Sequence, residues 1–292
     1  MTTVAGTVTP GWLSLREPAD HAARSRALAG ELPARPANAS GWVVHDLGSG
    51  TGSMTRWLAP QLAGPQLWVL HDQDADLLAR AAAGTASDDS VRVVTRIGDV
   101  TDLRAVDLTG ADLVTTSALL DLLTAREVDT IVEACVAARC DALFTLTVTG
   151  DVSLWPAHQL DEAFRSAFNA HQRRTRQGRR LLGPDAVGHT AKVFTRLGAR
   201  VVIQPSWWRL GAHDVSLTVE WLTGWVGAAC EQRPEYTNLA QTYLRDRLAD
   251  AAAGRLRVAV AHADLFAAAP AVPGRGTVEP PAPSGRVAAR GE

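Results

Sequence analysis

Val43-Val44-His45-Asp46-Leu47-Gly48-Ser49-Gly50-Thr51-Gly52 is the stretch on which the fold turns. Its first half reads as a buried strand that ends in an acid. Its second half carries three alternate glycines, which permit a tight turn with positive φ and leave no Cβ in the way of a ligand. Ser53-Met54-Thr55-Arg56-Trp57-Leu58 follows with helix-like composition. Strand, glycine turn, helix is the unit by which an α/β sheet holds a cofactor at the carboxyl edge of a strand, with the free N–H groups of the helix start turned toward it.

Working outward, the same unit recurs. Gln66–Asp72 is a second strand ending in an acid, and Asp72 lies 20 residues after Gly52. An acid at that place can accept both ribose hydroxyls of an adenosine. Gln73 follows it directly, and a helix runs over 76–83, ended by Gly84. Strands are expected at 91–97, 111–117 and 142–148, with a helix over 128–138 between the last two. Strands alternating with helices predict an α/β fold with a doubly wound, mostly parallel sheet. Right-handed crossovers then bring every candidate to one sheet edge. A sixth strand is expected at 199–204 and a seventh at 256–266, which makes the sheet seven-stranded with helices on both faces.

Asp46-Leu47-Gly48-Ser49-Gly50-Thr51-Gly52 resembles motif I of the class I (Rossmann-like) S-adenosylmethionine (SAM)-dependent methyltransferases. A dinucleotide turn wants a third glycine where this chain has Ser53. The resemblance covers about 40–204 plus the final strand. It implies SAM as cofactor, with Asp46 and the loop Gly48, Ser49, Gly50, Thr51 and Gly52 on its amino-acid half. It implies Asp72 and Gln73 at the ribose, Asp99 at the adenine amino group with Val100 against the ring, and Ser117 at the position of motif IV. The [DNS]-P-P-[YFW] motif of amino-methylating nucleic-acid enzymes is missing there, and no Pro-Cys occurs for cytosine-C5 chemistry. The implied reaction is methyl transfer to an O or N atom, less readily C, of a small molecule, in the manner of trans-aconitate-type enzymes. Asp121, His158 and His171 are the general-base candidates.

Composition agrees with this. The chain has 292 residues, 46% hydrophobic and 21% charged, which suits one large α/β domain with additions. A net charge of −2 gives no field that would steer it to nucleic acid or an anionic membrane. No apolar run reaches bilayer length, and no secretory signal is visible, so a cytoplasmic protein is expected. Cys135, Cys140 and Cys230 have no paired C-x-x-C spacing, so neither a disulfide framework nor a metal site is expected.

The regularity loosens outside the sheet. Residues 1–39 are expected to be an N-terminal helical cap, a helix from about Pro18 to Leu32, with Arg16, Asp20 and Arg24 turned to ligand or solvent. Domain boundaries follow as 40–269 for the core, with helical insertions at about 151–197 and 211–254, and a disordered tail over 270–292. The insertions are where specificity is expected. Gly150 to His158 reads as a loop with Trp155 in it. Five arginines crowd 171–180, a solvated basic loop, a lid that meets an anion such as a carboxylate or phosphate, or an RNA-binding strip, the last poorly supported without interleaved aromatics. Pro205 to Leu210 reads as a strand exit. Trp155, Arg173, Trp207 and Arg209 are the substrate candidates. The nine tryptophans and the insertion would suit a homodimer. Two other readings stay open: a SAM-binding or partner-binding protein without catalysis, and a nicotinamide oxidoreductase sharing the sheet and the ribose acid.

Overall fold

The computed structural model describes residues 8–33, 41–85 and 90–270. The expected tail beyond residue 270 and the start of the cap lie outside them. The elements in chain order are α1 (Pro10–Ala23), α2 (Arg26–Ala29), β1 (Trp42–Leu47), α3 (Ser53–Leu58), β2 (Gln66–Asp72), α4 (Ala75–Thr85), β3 (Val91–Ile97) and β4 (Leu113–Ser117). There follow α5 (Ala125–Ala138), β5 (Asp141–Trp155), α6 (Asp161–Gln172), β6 (Thr175–Arg176), β7 (Arg179–Arg180), α7 (Ala186–Arg196), β8 (Arg200–Leu210), α8 (Val215–Gln232), α9 (Thr237–Ala252) and β9 (Arg257–Ala268).

Seven strands form one sheet in the order β3-β2-β1-β4-β5-β9-β8. The first five are parallel, and β9 runs antiparallel between β5 and β8. The reversal of strand order at β1 and β4 makes a crevice at the carboxyl edge, the usual place for a ligand in such sheets. One apolar layer packs α5 and α7 on one face of the sheet around Phe144, Ile131 and Phe194. Another packs α3 and α4 on the opposite side around Trp57, Trp68 and Leu78. Burying each such side chain is worth roughly 1.5–3 kcal/mol, so these layers hold the crevice rigid.

The third apolar cluster is the cap. Phe164 of α6, Trp221 and Trp225 of α8 and Tyr243 of α9 close over Trp208, Val258 and Leu154 of the sheet. Trp225 lies within 5.3–6.4 Å of the rings of Phe164, Phe168, Trp221 and Tyr243. Six of the nine tryptophans are buried in these layers, so they serve the core more than an outer face.

Four expectations are corrected. Pro18 sits inside α1, which starts earlier at Pro10 with the Thr9 hydroxyl accepting from Trp12 N–H; the helix then breaks at Arg24, and Ser25 caps the short α2. Strand β5 does not end at Val148 but reaches Trp155, because Val152–Trp155 find hydrogen-bonding partners in Val260–Arg257 of β9. Gly150, at φ 90°, belongs to an irregularity in that ladder, not to a loop. Likewise β8 continues through Pro205-Ser206-Trp207-Trp208 to Leu210, since it lies along β9 up to Val258. It is an edge strand, where a proline without N–H is tolerated. The basic run, expected as a loop, folds into the β6–β7 hairpin across Gln177 and Gly178, both with positive φ, the geometry of a type I′ turn.

Candidate active site

Beside the β1/β4 crevice lies a cavity of about 1350 Å³. The glycine turn forms its floor. Gly48 has φ 65°, and a Cβ there would come within 3.2 Å of Leu119. Gly52 has φ 83°, and a Cβ would lie 3.1 Å from Ala81. Gly48 thus shapes the cavity, whereas Gly52 is outside the lining and lets α3 pack on α4. Three loop N–H groups are not free for a ligand as the sequence suggested. Ser49 N donates to His71 O, Gly52 N to Ser49 O, and Gly50 N to Asp72 Oδ2 at 2.8 Å.

That last bond ties the ends of β1 and β2 together. Asp72 also accepts from Asp74 N at 3.0 Å, so its carboxylate is oriented by two backbone donors and still has lone pairs to offer. Asp46 faces the same cavity from the end of β1. The β1–β4 register puts it opposite Thr115, whose hydroxyl donates to Oδ1 at 2.7 Å. Its Oδ2 is buried without a partner among the described residues. Burial pushes the Asp46 carboxyl up to about 7, against the opposing pull of Thr115 and Arg24.

Arg24 enters from the cap. It is 3% exposed and sits over the Trp57 ring. It donates to Ser53 O, to Ser53 Oγ and, at 2.9 Å, to Ser117 Oγ, while its Nε is unpartnered. Asp20 and Arg16 stand one and two turns earlier on the same face, joined by two hydrogen bonds. Asp20 also accepts from Trp208 Nε1, and the Arg16 guanidinium lies 4.9 Å from the Trp208 ring. Glu17 pairs with Arg56 of α3 through both carboxylate oxygens. The cap helix is therefore fastened to α3 by the Glu17–Arg56 ion pair and by Arg24 hydrogen bonds to Ser53, and its Arg16–Asp20–Arg24 face becomes a cavity wall.

Gln73, Asp99, Val100 and Ser117 line the cavity, as do Asp46, Gly48, Ser49, Gly50, Thr51 and Asp72. Asp99 receives Thr101 N and Thr101 Oγ1 on Oδ1, capping a short 3-10 turn. Of the three base candidates only His171 reaches the cavity. Both of its ring nitrogens are engaged. Nδ1 accepts from Arg174 at 2.9 Å, so Nε2 carries the hydrogen and donates to Glu231, also at 2.9 Å. Burial, opposed by Glu231, holds its pKa below the usual histidine range.

Asp121 is outside the lining, although Leu119 and Leu122 beside it belong there. Burial raises its carboxyl to about 6. His158 lies at the start of α6, accepting from Leu160 N with its ring edge-on to Tyr243, an anchoring role. The four substrate candidates also fall elsewhere. Trp155 is 66% exposed at the end of β5. Arg173 is paired bidentately with Asp185. Trp207 points away from the Trp208 face of β8, and Arg209 covers it at 5.8 Å. Trp155, Trp207 and Arg209 lie on strands rather than in a loop or past a strand exit, and strand alternation turns them outward, whereas Arg173 ends α6 and is held by Asp185.

The far wall is formed by Arg174 and Arg176, members of the basic run of which only Arg173 was singled out, and by residues the sequence reading did not single out: Leu181, and Thr223, Gly224, Gly227 and Ala228 of α8. A signal for the last group exists in the sequence. Gly224 and Gly227 sit three apart in an otherwise apolar helix, a spacing that puts both on one face. Among the described residues no group of three or more metal-ligating side chains occurs, and no helix is long and apolar enough to cross a membrane.

Comparison with known proteins bears on this geometry. Residues 44–139, from β1 to the end of α5, match the family model "Methyltransferase domain". No curated protein matches the chain. Among solved structures, the cyclopropane synthase MmaA2 from Mycobacterium tuberculosis is similar at 12% identity and TM-score 0.48, over 89% of this chain and 94% of that one. A SAM-dependent methyltransferase from Geobacter sulfurreducens in complex with S-adenosyl-L-homocysteine aligns at 17% identity and TM-score 0.42, over 90% and 92%. Haemonchus contortus phosphoethanolamine N-methyltransferase 2 aligns at 14% identity and TM-score 0.42, over 84% of this chain; the chain spans 51% of that enzyme's length.

Proposed function

We propose that this chain, whose residues 44–139 match a methyltransferase-domain model, is a class I S-adenosylmethionine-dependent methyltransferase that methylates an O or N atom of a small molecule held under its helical cap. The observation that carries the reading is the pairing of two buried, incompletely bonded charges at the glycine loop. Asp46 Oδ2 and Arg24 Nε lack partners among the described residues, and both side chains border the cavity. A buried polar atom without a partner costs about 1–3 kcal/mol, more when charged. An amino acid's ammonium and carboxylate are the complement of such a pair. SAM fits that test, since its methionyl half carries both groups.

In this reading Asp46 takes the ammonium and Arg24 the carboxylate. Asp72, held by Gly50 N and Asp74 N, accepts from the ribose hydroxyls. Asp99 and Val100 border the adenine. When bound, SAM would supply an electrophilic methyl group on a positively charged sulfur. The chain's own part is to hold the two reactants in line and keep water out, and positioning of that kind can supply most of such an acceleration. His171 can take a proton from the acceptor only after Arg174 releases Nδ1. The cavity exceeds the ~300–1,000 Å³ usual for one small ligand, leaving room for an acceptor. That favours an enzyme over a protein that only binds SAM.

Calorimetric titration with SAM, S-adenosylhomocysteine and NAD tests the reading, repeated with Asp72→Ala. Both adenosyl compounds should bind, and the variant should weaken them at least about thirtyfold, the equivalent of one or two charge-assisted hydrogen bonds. Binding of NAD in their place would move Asp72 to a dinucleotide ribose and overturn it.

A further inference from the structure

The far wall of the cavity points to the chemical class of the acceptor. Resting on the methyltransferase reading, we propose that the acceptor is an anionic amphiphile: a carboxylate or phosphate read by Arg176 and Arg174, on an apolar body lying against Leu122, Leu181 and the Gly224/Gly227 face of α8.

The charges at this end do not cancel. Arg179 is neutralised by two bonds to Glu127. Arg16 is neutralised by Asp20. Arg176 borders the cavity and has no hydrogen-bond or ion-pair partner among the described residues. Arg174 donates only to neutral acceptors, His171 O at 2.8 Å and His171 Nδ1. Glu231, the carboxylate on the same wall, accepts the His171 Nε2 hydrogen and is 66% exposed. Arg174 just precedes β6 and Arg176 ends it, so two guanidinium groups two residues apart border one cavity and repel one another. Burial lowers the pKa of Arg174, opposed by the Glu231 charge and reinforced by that of Arg176. An anion between them relieves that repulsion and matches the bidentate geometry of a guanidinium.

The rest of the wall is apolar or small. Leu122 keeps 50% of its surface exposed, and Leu181, bridged to Thr124 close by, lines the same cavity. On α8 Gly224 and Gly227 border the cavity, and a Cβ at Gly227 would meet nothing within 4 Å. The missing side chains leave a shallow trough along the helix. A cationic acceptor finds less here. The Asp99 oxygen that caps the 3-10 turn is engaged, and Asp46 and Asp72 lie at the loop end with the cofactor groups.

The test is calorimetry on the full chain saturated with S-adenosylhomocysteine. The probes are octanoate, octyl phosphate, octanamide and octylamine. Octanoate or octyl phosphate should bind about tenfold or more tightly than octanamide, and the tighter of the two names the headgroup. Arg176→Gln should cut that preference at least about fivefold and leave S-adenosylhomocysteine affinity unchanged; Arg209→Gln should alter neither. Equal binding of octanamide, tighter binding of octylamine, or no binding of either anion while S-adenosylhomocysteine still binds would overturn the acceptor assignment alone. Failure of S-adenosylhomocysteine to bind would remove the methyltransferase reading beneath it.

Discussion

At the glycine-loop end of the cavity, polar groups are fixed by backbone; at the α8 end they are fixed by packing. Asp72 is oriented by two main-chain N–H groups, and Asp46 by a hydroxyl set opposite it through strand register. The far wall has no such ladder. Its shape depends on aromatic side chains that hold α6, α8 and α9 on β8 and β9. Chemistry common to many acceptors belongs on the first kind of support, which barely tolerates change. Chemistry that must differ between acceptors belongs on the second, where one side chain can be exchanged without moving a strand.

If that division is real, damage to the packing beneath α8 should leave the loop end intact. Trp225 is the strongest lever. It is 1% exposed, touches four aromatic rings, and its Nε1 is buried without a partner. Trp225→Ala should lower stability by about 3–5 kcal/mol, the usual cost of emptying so large a site. Trp225→Phe should cost less, because it also removes the unpaired N–H. Chemical unfolding gives the stability, and calorimetry at a temperature where the variant is folded gives S-adenosylhomocysteine affinity, expected within about threefold of the parent. A matching collapse of affinity would make the two ends one cooperative unit and break the comparison.

The loop end carries its own signature in pH. Burial raises the Asp46 carboxyl to about 7, so near pH 6 it is largely protonated in the ligand-free protein. A ligand ammonium beside it favours the charged form, so binding there must release a proton. Affinity for S-adenosylhomocysteine should therefore rise with pH, about tenfold per unit below pH 7, and flatten above it. The stability sign follows. The raised acid penalises the ligand-free fold increasingly as pH climbs from about 4 to 7, and ligand relieves this, so the ligand-induced rise in Tm should be larger at pH 8 than at pH 6. Asp46→Asn should bind more weakly and lose the slope. An unchanged pH slope in that variant would remove Asp46 from the ammonium site and leave the loop end without its distinguishing charge.

The same contrast explains what could be read in the chain. Alternating apolar runs and glycines are local signals, so β1 to β4 and the acids at their ends were legible within a residue or two. Right-handed crossovers bring the ends of the parallel strands to one edge, but the order of the strands, with β9 between β5 and β8, is not a local signal. The far wall was not legible because its determinants are long-range. Nothing local says that β9 will extend β5 to Trp155 and β8 to Leu210, yet that pairing turns Trp155, Trp207 and Arg209 away from the cavity. Arg173 and Arg176 are three apart in one basic run; only the hairpin and Asp185 decide that the first is paired and the second faces the cavity. Arg24 lies between. Its spacing from Arg16 and Asp20 marks one helix face, but its burial against Ser53 and Ser117 needs the cap in place.

The smallest expected effect is the sharpest test of that account. Trp155 has the composition of a ligand contact and the surroundings of a surface residue, 66% exposed and set opposite Arg257 in the β5–β9 ladder. Its ring covers little apolar surface, so Trp155→Ala should shift stability by less than about 0.5 kcal/mol. Anionic-probe affinity and S-adenosylhomocysteine affinity should both stay within about twofold. A loss of probe binding with stability unchanged would bring the acceptor out past the end of β5. The far wall would then be built partly on strand after all, and the contrast between a backbone-fixed and a packing-fixed end would fail where it is most exposed.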